Sequence, residues 1–359
     1  MASLSIQRAL YPVLYPLGRM YASLMATRRR RYELGAKECF TPKAPCVAVG
    51  NISWGGSGKT PVVSWLLDWA EQTGKQAVVL TRGYKATPPV LPCLVTAAST
   101  PLEAGDEPVM LAKEHPAARI VVDPVRKRSG AWAEEQFSPD IVILDDGFQH
   151  LAVTRDCNLV LLKPDDLTLE WDRVIPSGSW REGKEALGRA DAFLIKAETL
   201  QVLEAEISRR LKLFDGPVFS FSLAPEKLVP VTTTAKNHLK DMGYERASAT
   251  VKAGYSLFSG VGEPEQVENT AEQFLKNTPQ QHHRFADHHG YTRADIQTMG
   301  ASGLPLVCTP KDAVKVPDVS GVAIWTFQLR TRFNDAMFTD KSFEAWWQER
   351  WESLSRGDA

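Results

Sequence analysis

Several protein classes are excluded by what this sequence has little of. Its five cysteines (Cys39, Cys46, Cys93, Cys157, Cys308) are odd in number and scattered, with no C-x-x-C pair. That spacing argues against a disulfide scaffold or zinc ribbon and for a reducing compartment. Charge of one sign is also missing: the formal net charge is -1, so no global basic surface invites a nucleic-acid polyanion. No apolar run reaches the roughly 20 residues of a transmembrane helix. The first segment lacks the clean apolar centre and small-residue cleavage site of a signal peptide. Repeats and low-complexity tracts are absent too. What is present is a globular composition, 43% hydrophobic and 24% charged over 359 residues, enough for two domains.

The most informative stretch is Cys46-Val47-Ala48-Val49-Gly50-Asn51-Ile52-Ser53-Trp54-Gly55-Gly56-Ser57-Gly58-Lys59-Thr60. A β-prone run enters a glycine-rich turn, then Gly-Lys-Thr, then an apolar-periodic segment through Trp69. This is the strand–loop–helix layout of a P-loop, whose backbone N–H groups cradle phosphates at a helix N-terminus. Ser53 to Thr60 form the expected ATP-binding loop, although Ser53 stands where the strict pattern has glycine. Lys59 is expected at the β/γ-phosphates and Thr60 on Mg²⁺.

Strands are expected at Gln76–Thr81, Leu91–Thr96, Arg119–Val122, Asp140–Leu144, Asn158–Leu162 and Ala192–Ile195, with helices at Asp106–Glu114, Pro124–Gln136 and Leu200–Leu213. The alternation predicts an α/β fold: a P-loop NTPase-like parallel sheet covered by helices, with ligand at the strands' C-terminal ends. Residues 36–225 form this kinase-like domain. Residues 226–254, weakly periodic, read as a linker or β-ribbon. Residues 255–359 repeat the α/β theme as a smaller domain. Its last helix, with Phe343, Trp346, Trp347, Trp351 and Leu354 on one face, is a packing element that can return to the first domain.

Residues 1–35 predict an amphipathic helix. Ile6, Leu10, Val13, Leu14, Leu17, Met20, Tyr21, Leu24 and Met25 share a face, Arg8 and Arg19 interrupt it, Pro12 and Pro16 punctuate it, and Arg28–Arg31 close it. Such a helix suits either a membrane interface with anionic head groups or packing on its own domain.

Three further constellations carry chemistry. Ile141–Leu144 is a buried strand delivering Asp145 and Asp146 beside the P-loop, where Mg²⁺ takes oxygen ligands. Asp106 and Glu107 open a helix, where the dipole favours anions. His288 is a second proton handler, among His282, His283 and His289. Adjacent pairs without cysteine do not match H-E-x-x-H spacing, so a metal site there is not expected. Thr309-Pro310-Lys311-Asp312 lacks the N-K-x-D spacing of guanine selection. Trp54 stands where membrane-surface ATPases with a deviant Walker motif carry lysine.

Taken together the motifs resemble the tetraacyldisaccharide 4'-kinase family from the N-terminal helix to about Lys315. Gly50–Ser53 leading into Gly55–Pro61 resembles its P-loop, including the Ser53 departure. Thr81-Arg82-Gly83-Tyr84 resembles its R-G-Y turn, Gly105-Asp106-Glu107-Pro108 its G-D-E-P motif, and Leu144–His150 its L-D-D-G-F-Q-H block, followed by Arg155-Asp156. Weaker echoes are Pro176–Glu182, Phe258-Ser259-Gly260 with Pro264, Asp287-His288 and Thr309–Lys315. Ser177, Trp180 and Gly183 depart from the usual pattern around acceptor contacts.

The resemblance implies transfer of the ATP γ-phosphate to the 4'-hydroxyl of a tetraacyl glucosamine disaccharide 1-phosphate, giving lipid IVA for lipid A biosynthesis. It implies peripheral attachment to the cytoplasmic face of a bacterial inner membrane, with no nucleic-acid partner and no evident obligate protein partner. By the same resemblance Asp106 is the general base and His288 its partner. Asp287 is read as fixing the His288 tautomer. Thr60, Asp145, Asp146 and Glu107 are the Mg²⁺ ligands, and Lys59 neutralises charge in transfer. Arg82, Gln149, His150 and Arg181 serve the sugar–phosphate side. Partnering of Asp106 by His288 requires the two domains to close, by hinge motion about the linker. The competing reading is a peripheral-membrane P-loop ATPase that uses hydrolysis as a switch; Trp54 and the Gly-Asp-Glu-Pro block disfavour it.

Overall fold

Residues 10–356 are described, in a computed structural model; Ile6 and Arg8 of the expected amphipathic face lie outside them. Twelve strands join in one sheet: β1 (Cys46–Asn51), β2 (Ala77–Thr81), β3 (Cys93–Val95), β4 (Arg119–Val122), β5 (Ile141–Asp145), β6 (Cys157–Leu162), β7 (Ala192–Lys196), β8 (Val218–Pro230), β9 (Ser256–Ser259), β10 (Gln281–Arg284), β11 (Leu306–Cys308) and β12 (Ile324–Met337). Their spatial order is β10-β9-β11-β12-β8-β7-β6-β1-β5-β2-β4-β3. The helices are α1 (Tyr11–Glu33), α2 (Lys59–Gln72), α3 (Pro101–Ala104), α4 (Asp106–Glu114), α5 (Arg126–Phe137), α6 (Glu204–Arg210), α7 (Thr233–Ala253), α8 (Pro264–Leu275), α9 (Arg293–Gly300), α10 (Pro310–Ala313) and α11 (Phe343–Arg356).

From β4 to β8 every neighbouring pair is parallel. The strands β1, β5, β6 and β7 are almost wholly buried apolar runs, as a sheet covered on both faces requires. Register then positions the chemistry. Val49 of β1 pairs with Asp145 of β5, and Leu80 of β2 with Leu144. The glycine loop, the acidic tip of β5 and the end of β2 therefore share one edge.

The block β12-β11-β9-β10 is parallel within itself. It joins the first block through the long antiparallel pair β8–β12, with bulges between Gln328 and Leu329 and between Phe333 and Ala336. Residues 226–254 therefore need correction as a linker: they hold the end of β8 and then helix α7. The Thr232 side chain caps α7 by accepting from Ala235 N–H, and Gly243 at φ 75 kinks it. The kink breaks one 3.6-residue pattern into two short ones, which is why periodicity is weak there.

Helix α1 also differs from its expected face. The side facing the protein carries the small residues Gly18 and Ala22, whereas Leu10, Val13, Leu17, Met20 and Leu24 are exposed. Close approach needs small side chains, so the larger stripe is left outside.

The aromatic helix α11 packs back on the first block. Trp69 of α2 meets Trp347 and Trp351 edge-on at 5.2 and 4.9 Å, and Trp65 meets Phe343 at 5.0 Å. Trp347 is fully buried. Trp347→Ala is expected to lower stability by about 3–5 kcal/mol, read as a drop in the urea midpoint; an unchanged midpoint would mean that α11 is not part of this core.

Candidate active site

The chain leaves β1 into residues 52–58 and enters α2 at Lys59, with Gly58 as N-cap at φ 87. That left-handed turn suits glycine, and a Cβ at Gly58 would lie 2.9 Å from Phe221 Cζ. The first N–H groups of α2 have no intrahelical partners and carry the positive end of the dipole. Ser57 is buried with an unpartnered Oγ, while Gly55 and Gly56 have open space around them apart from Lys163 Nζ. Ser53 faces inward and donates to Asp166 Oδ2 at 2.9 Å, so its side chain braces the loop. Trp54 is exposed, and its carbonyl accepts from Lys163 Nζ at 2.8 Å.

Lys59 Nζ donates to Asn51 Oδ1 at 3.3 Å and lies 3.4 Å from Asp146 Oδ1. Thr60 Oγ1 donates to Glu107 Oε2 at 2.9 Å. Glu107 also pairs with Lys311 Nζ at 2.7 Å. Burial opposes its ionisation, but Lys311, Thr60 and Lys59 together hold its pKa below the usual value.

The two aspartates of β5 have different environments. Asp145 accepts from Thr81 Oγ1 at 2.8 Å through Oδ2, while Oδ1 is buried without a hydrogen-bond partner. Burial, reinforced by the charge of Glu107, raises its pKa to about 6. Asp146, at φ 52, turns back to Arg181 Nη1 at 2.9 Å and to Lys59. Burial again opposes ionisation, but Lys59 and Arg181 outweigh it and lower the pKa.

Asp106 is the first residue of α4, after Gly105 at φ 93. His288 Nδ1 donates to Asp106 Oδ2 at 2.9 Å, an assignment that follows from a carboxylate accepting only. Lys315 Nζ lies 3.6 Å from the same oxygen and 3.2 Å from Asp312 Oδ1. Residues 182 positions apart are thus in direct contact in this structure. Asp287 does not serve as expected: Oδ1 is 3.9 Å from His288 Nε2 and half-exposed. Nδ1 already has its acceptor in Asp106, which sets the tautomer. The other histidines disperse, His282 to Glu268 at 2.8 Å and His289 stacking on Phe285.

Gln149 Nε2 donates to the Asn51 carbonyl at 2.8 Å, and Gln149 Oε1 accepts from Arg181 at 3.2 Å. The ring of His150 is held to a pKa of about 4 by burial and by Arg126, Arg28, Arg155 and Arg82, so it is neutral at pH 7. Arg82 lines a cleft of about 400 Å³ with Tyr84, Leu91 and Pro124. Sequence reasoning missed Asn51, Arg126, Lys311 and Lys315 as members of this cluster. The i, i+4 spacing of Lys311 and Lys315 inside the Thr309–Lys315 motif was the available signal.

Residues 10–346 match the family described as tetraacyldisaccharide-1-P 4'-kinase. The chain is 54% identical to the tetraacyldisaccharide 4'-kinase of Oleidesulfovibrio alaskensis, covering 99% of both. It is 47% identical to that of Nitratidesulfovibrio vulgaris, over 98% of this chain and 97% of the relative. A crystal structure of the "apo" form of LpxK from Aquifex aeolicus in complex with ATP superposes with a TM-score of 0.75 at 27% identity, covering 96% of this chain and 99% of that one. This chain belongs to the tetraacyldisaccharide 4'-kinase family.

Proposed function

We propose that this protein transfers the γ-phosphate of ATP to the 4'-hydroxyl of a tetraacyl glucosamine disaccharide 1-phosphate, forming lipid IVA, at the cytoplasmic face of the inner membrane. The observation that carries the reading is the convergence of Lys59 and Thr60 with the Asp106–His288 pair and Asp145 at one sheet edge. Residues 53–60 take the phosphates, and Lys59 neutralises charge on the transferring group. His288 and Lys315 both address Asp106 Oδ2, which leaves Oδ1 to accept the proton of the attacking hydroxyl.

The residues fit Mg²⁺. Thr60, Glu107 and Asp145 offer hard oxygen donors, and the buried Oδ1 of Asp145 has no hydrogen-bond partner, so it is an oxygen that a cation would satisfy. Asp146 is already paired with Lys59 and Arg181, so Asp145 is the better ligand of the two. Bound there, Mg²⁺ would supply charge neutralisation on the phosphates. Arg82, Gln149, His150 and Arg181 remain the sugar–phosphate side.

Two lobes, the parallel block from β4 to β8 with α11 packed on it and the block β12-β11-β9-β10, close about the β8–β12 ribbon and exclude water from the transfer. Membrane attachment is supported by α1. Val13, Met20 and Leu24 are 69%, 64% and 63% exposed on a helix ending in arginines, the pattern of an interfacial helix. Among the described residues no helix is long and apolar enough to cross a membrane.

The test is thin-layer analysis of labelled phosphate after incubating ATP with purified acceptor. Label is expected in the glycolipid, with ADP release dependent on the acceptor. ADP release indifferent to the lipid, with no label transferred, would overturn the kinase reading in favour of a hydrolysis switch.

A further inference from the structure

Beyond the nucleotide site, at the other ends of α2 and α4, lies a second group of ligating side chains. Asp68 and Glu71 are three residues apart on one face of α2, and His115 follows the last residue of α4. One ligand atom from each lies within 4.8 Å of the others. His115 is only 5% exposed. Its Nε2 stands 2.7 Å from Ser64 Oγ. Its Nδ1 points at Asp68 Oδ1 from 3.6 Å, and has no hydrogen-bond partner.

That geometry is unfavourable without a further group. At 3.6 Å the contact between Nδ1 and Asp68 Oδ1 is an ion-pair distance, longer than a hydrogen bond. With Nε2–H donating to Ser64, the Nδ1 lone pair faces a carboxylate oxygen. In that tautomer the buried Nδ1 and the partly exposed Asp68 Oδ1 are neighbouring acceptors, an arrangement that a shared cation resolves. The helix dipoles act in the same direction. Asp68 and Glu71 sit towards the negative end of α2, whose last turn has no basic residue, and His115 caps the negative end of α4. Arg330 approaches Asp68 through Oδ2 at 3.2 Å, leaving Oδ1 for a ligand.

We propose that Asp68, Glu71 and His115 bind a divalent transition-metal ion of the zinc class. One imidazole and two carboxylates suit Zn²⁺, whereas Mg²⁺ prefers oxygen alone. Metal–donor distances of about 2.0–2.1 Å in a tetrahedron place donors roughly 3.4 Å apart. The carboxylates therefore move inward by about an ångström, which their surface position permits. Water takes the fourth position, and Ser64 orients the imidazole from behind. The ion clips α2 to α4 about 14 Å along the helix from Lys59. It therefore fixes the two helices that carry Lys59, Thr60, Asp106 and Glu107, and it does not touch substrate.

The experiment is calorimetric titration of the metal-stripped, full-length protein with zinc chloride, in excess Mg²⁺ so that the oxygen-donor site is occupied. One equivalent is expected to bind wild type with micromolar or tighter affinity and to raise the melting temperature. Glu71→Gln, at an exposed position, and Asp68→Asn, at a partly exposed one, are expected to weaken binding at least about tenfold. His115→Gln is expected to abolish it, and Glu204→Gln to change nothing. Absence of zinc binding by wild type, or affinity unchanged in both Glu71→Gln and Asp68→Asn, overturns the proposal.

Discussion

Asp106→Ala is expected to lower kcat by about a hundredfold or more while leaving KM for ATP within about twofold. The carboxylate has been placed by backbone features that survive its removal. Gly105 turns the chain at φ 93, α4 starts at Asp106, and Thr60–Glu107 joins α4 to α2 independently. The mutation therefore removes a proton acceptor and leaves the phosphate loop intact. On the proposed assignment His288 acts through Asp106, so His288→Ala should cause a smaller loss. It sits at φ 64 with its N–H donating to Gly260 O at 3.2 Å. A non-glycine residue held in the left-handed region costs of order 1–3 kcal/mol, so the surrounding loop is committed to aiming this ring. The double variant should be no slower than Asp106→Ala alone, because the pair works as one unit. Steady-state kinetics on the three proteins decides it. An Asp106→Ala enzyme with wild-type kcat would remove the base from this account, and additive losses would separate the two residues.

The first half of the chain was far more legible in sequence than the second. From residue 46 to residue 162, all the strands but the antiparallel edge strand β3 are buried, parallel and read as apolar runs, and each chemical motif sits at a strand end or helix start. Strand register alone then brings Lys59, Asp145 and Asp146 together. Three features escaped for distinct physical reasons. The kink at Gly243 hid α7 behind two short periodicities. On α1 the buried residues are the small ones, Gly18 and Ala22, which a hydrophobicity pattern passes over, with Tyr21 of the expected face partly buried beside them. Lys311 and Lys315 join the site through the β8–β12 ribbon; their i, i+4 spacing marks a shared helix face but does not say which residues two hundred positions away they meet. The Asp106–His288 contact was expected only because the whole motif set resembled a family; spacing in the sequence carried no trace of it.

Asp145→Asn should produce an enzyme that is more stable and much less active. Asp145 is 7% exposed, and only Oδ2 has a hydrogen-bond partner. Arg126 reaches its main-chain oxygen at 3.3 Å instead of the carboxylate. Burial and the nearby Glu107 raise its pKa from 3.8 to about 6, against Thr81 and Lys59. The unfolded chain therefore loses this proton near pH 4, whereas the folded chain keeps it until about pH 6. Between those values the unfolded state binds fewer protons, so stability falls as pH rises, and the loss persists above pH 6. Two units correspond to roughly 2–3 kcal/mol. Asparagine carries no charge and escapes this penalty. Urea unfolding without nucleotide should thus show Asp145→Asn more stable than wild type by about 2 kcal/mol at pH 7.5, with the difference closing towards pH 4. Adding Mg²⁺ and ATP should then raise wild-type stability more than that of the variant, because only wild type gains from neutralising the buried charge. A variant less stable than wild type at pH 7.5, or a difference that ignores pH, would show that the strained carboxylate is not where this site stores its affinity for a cation.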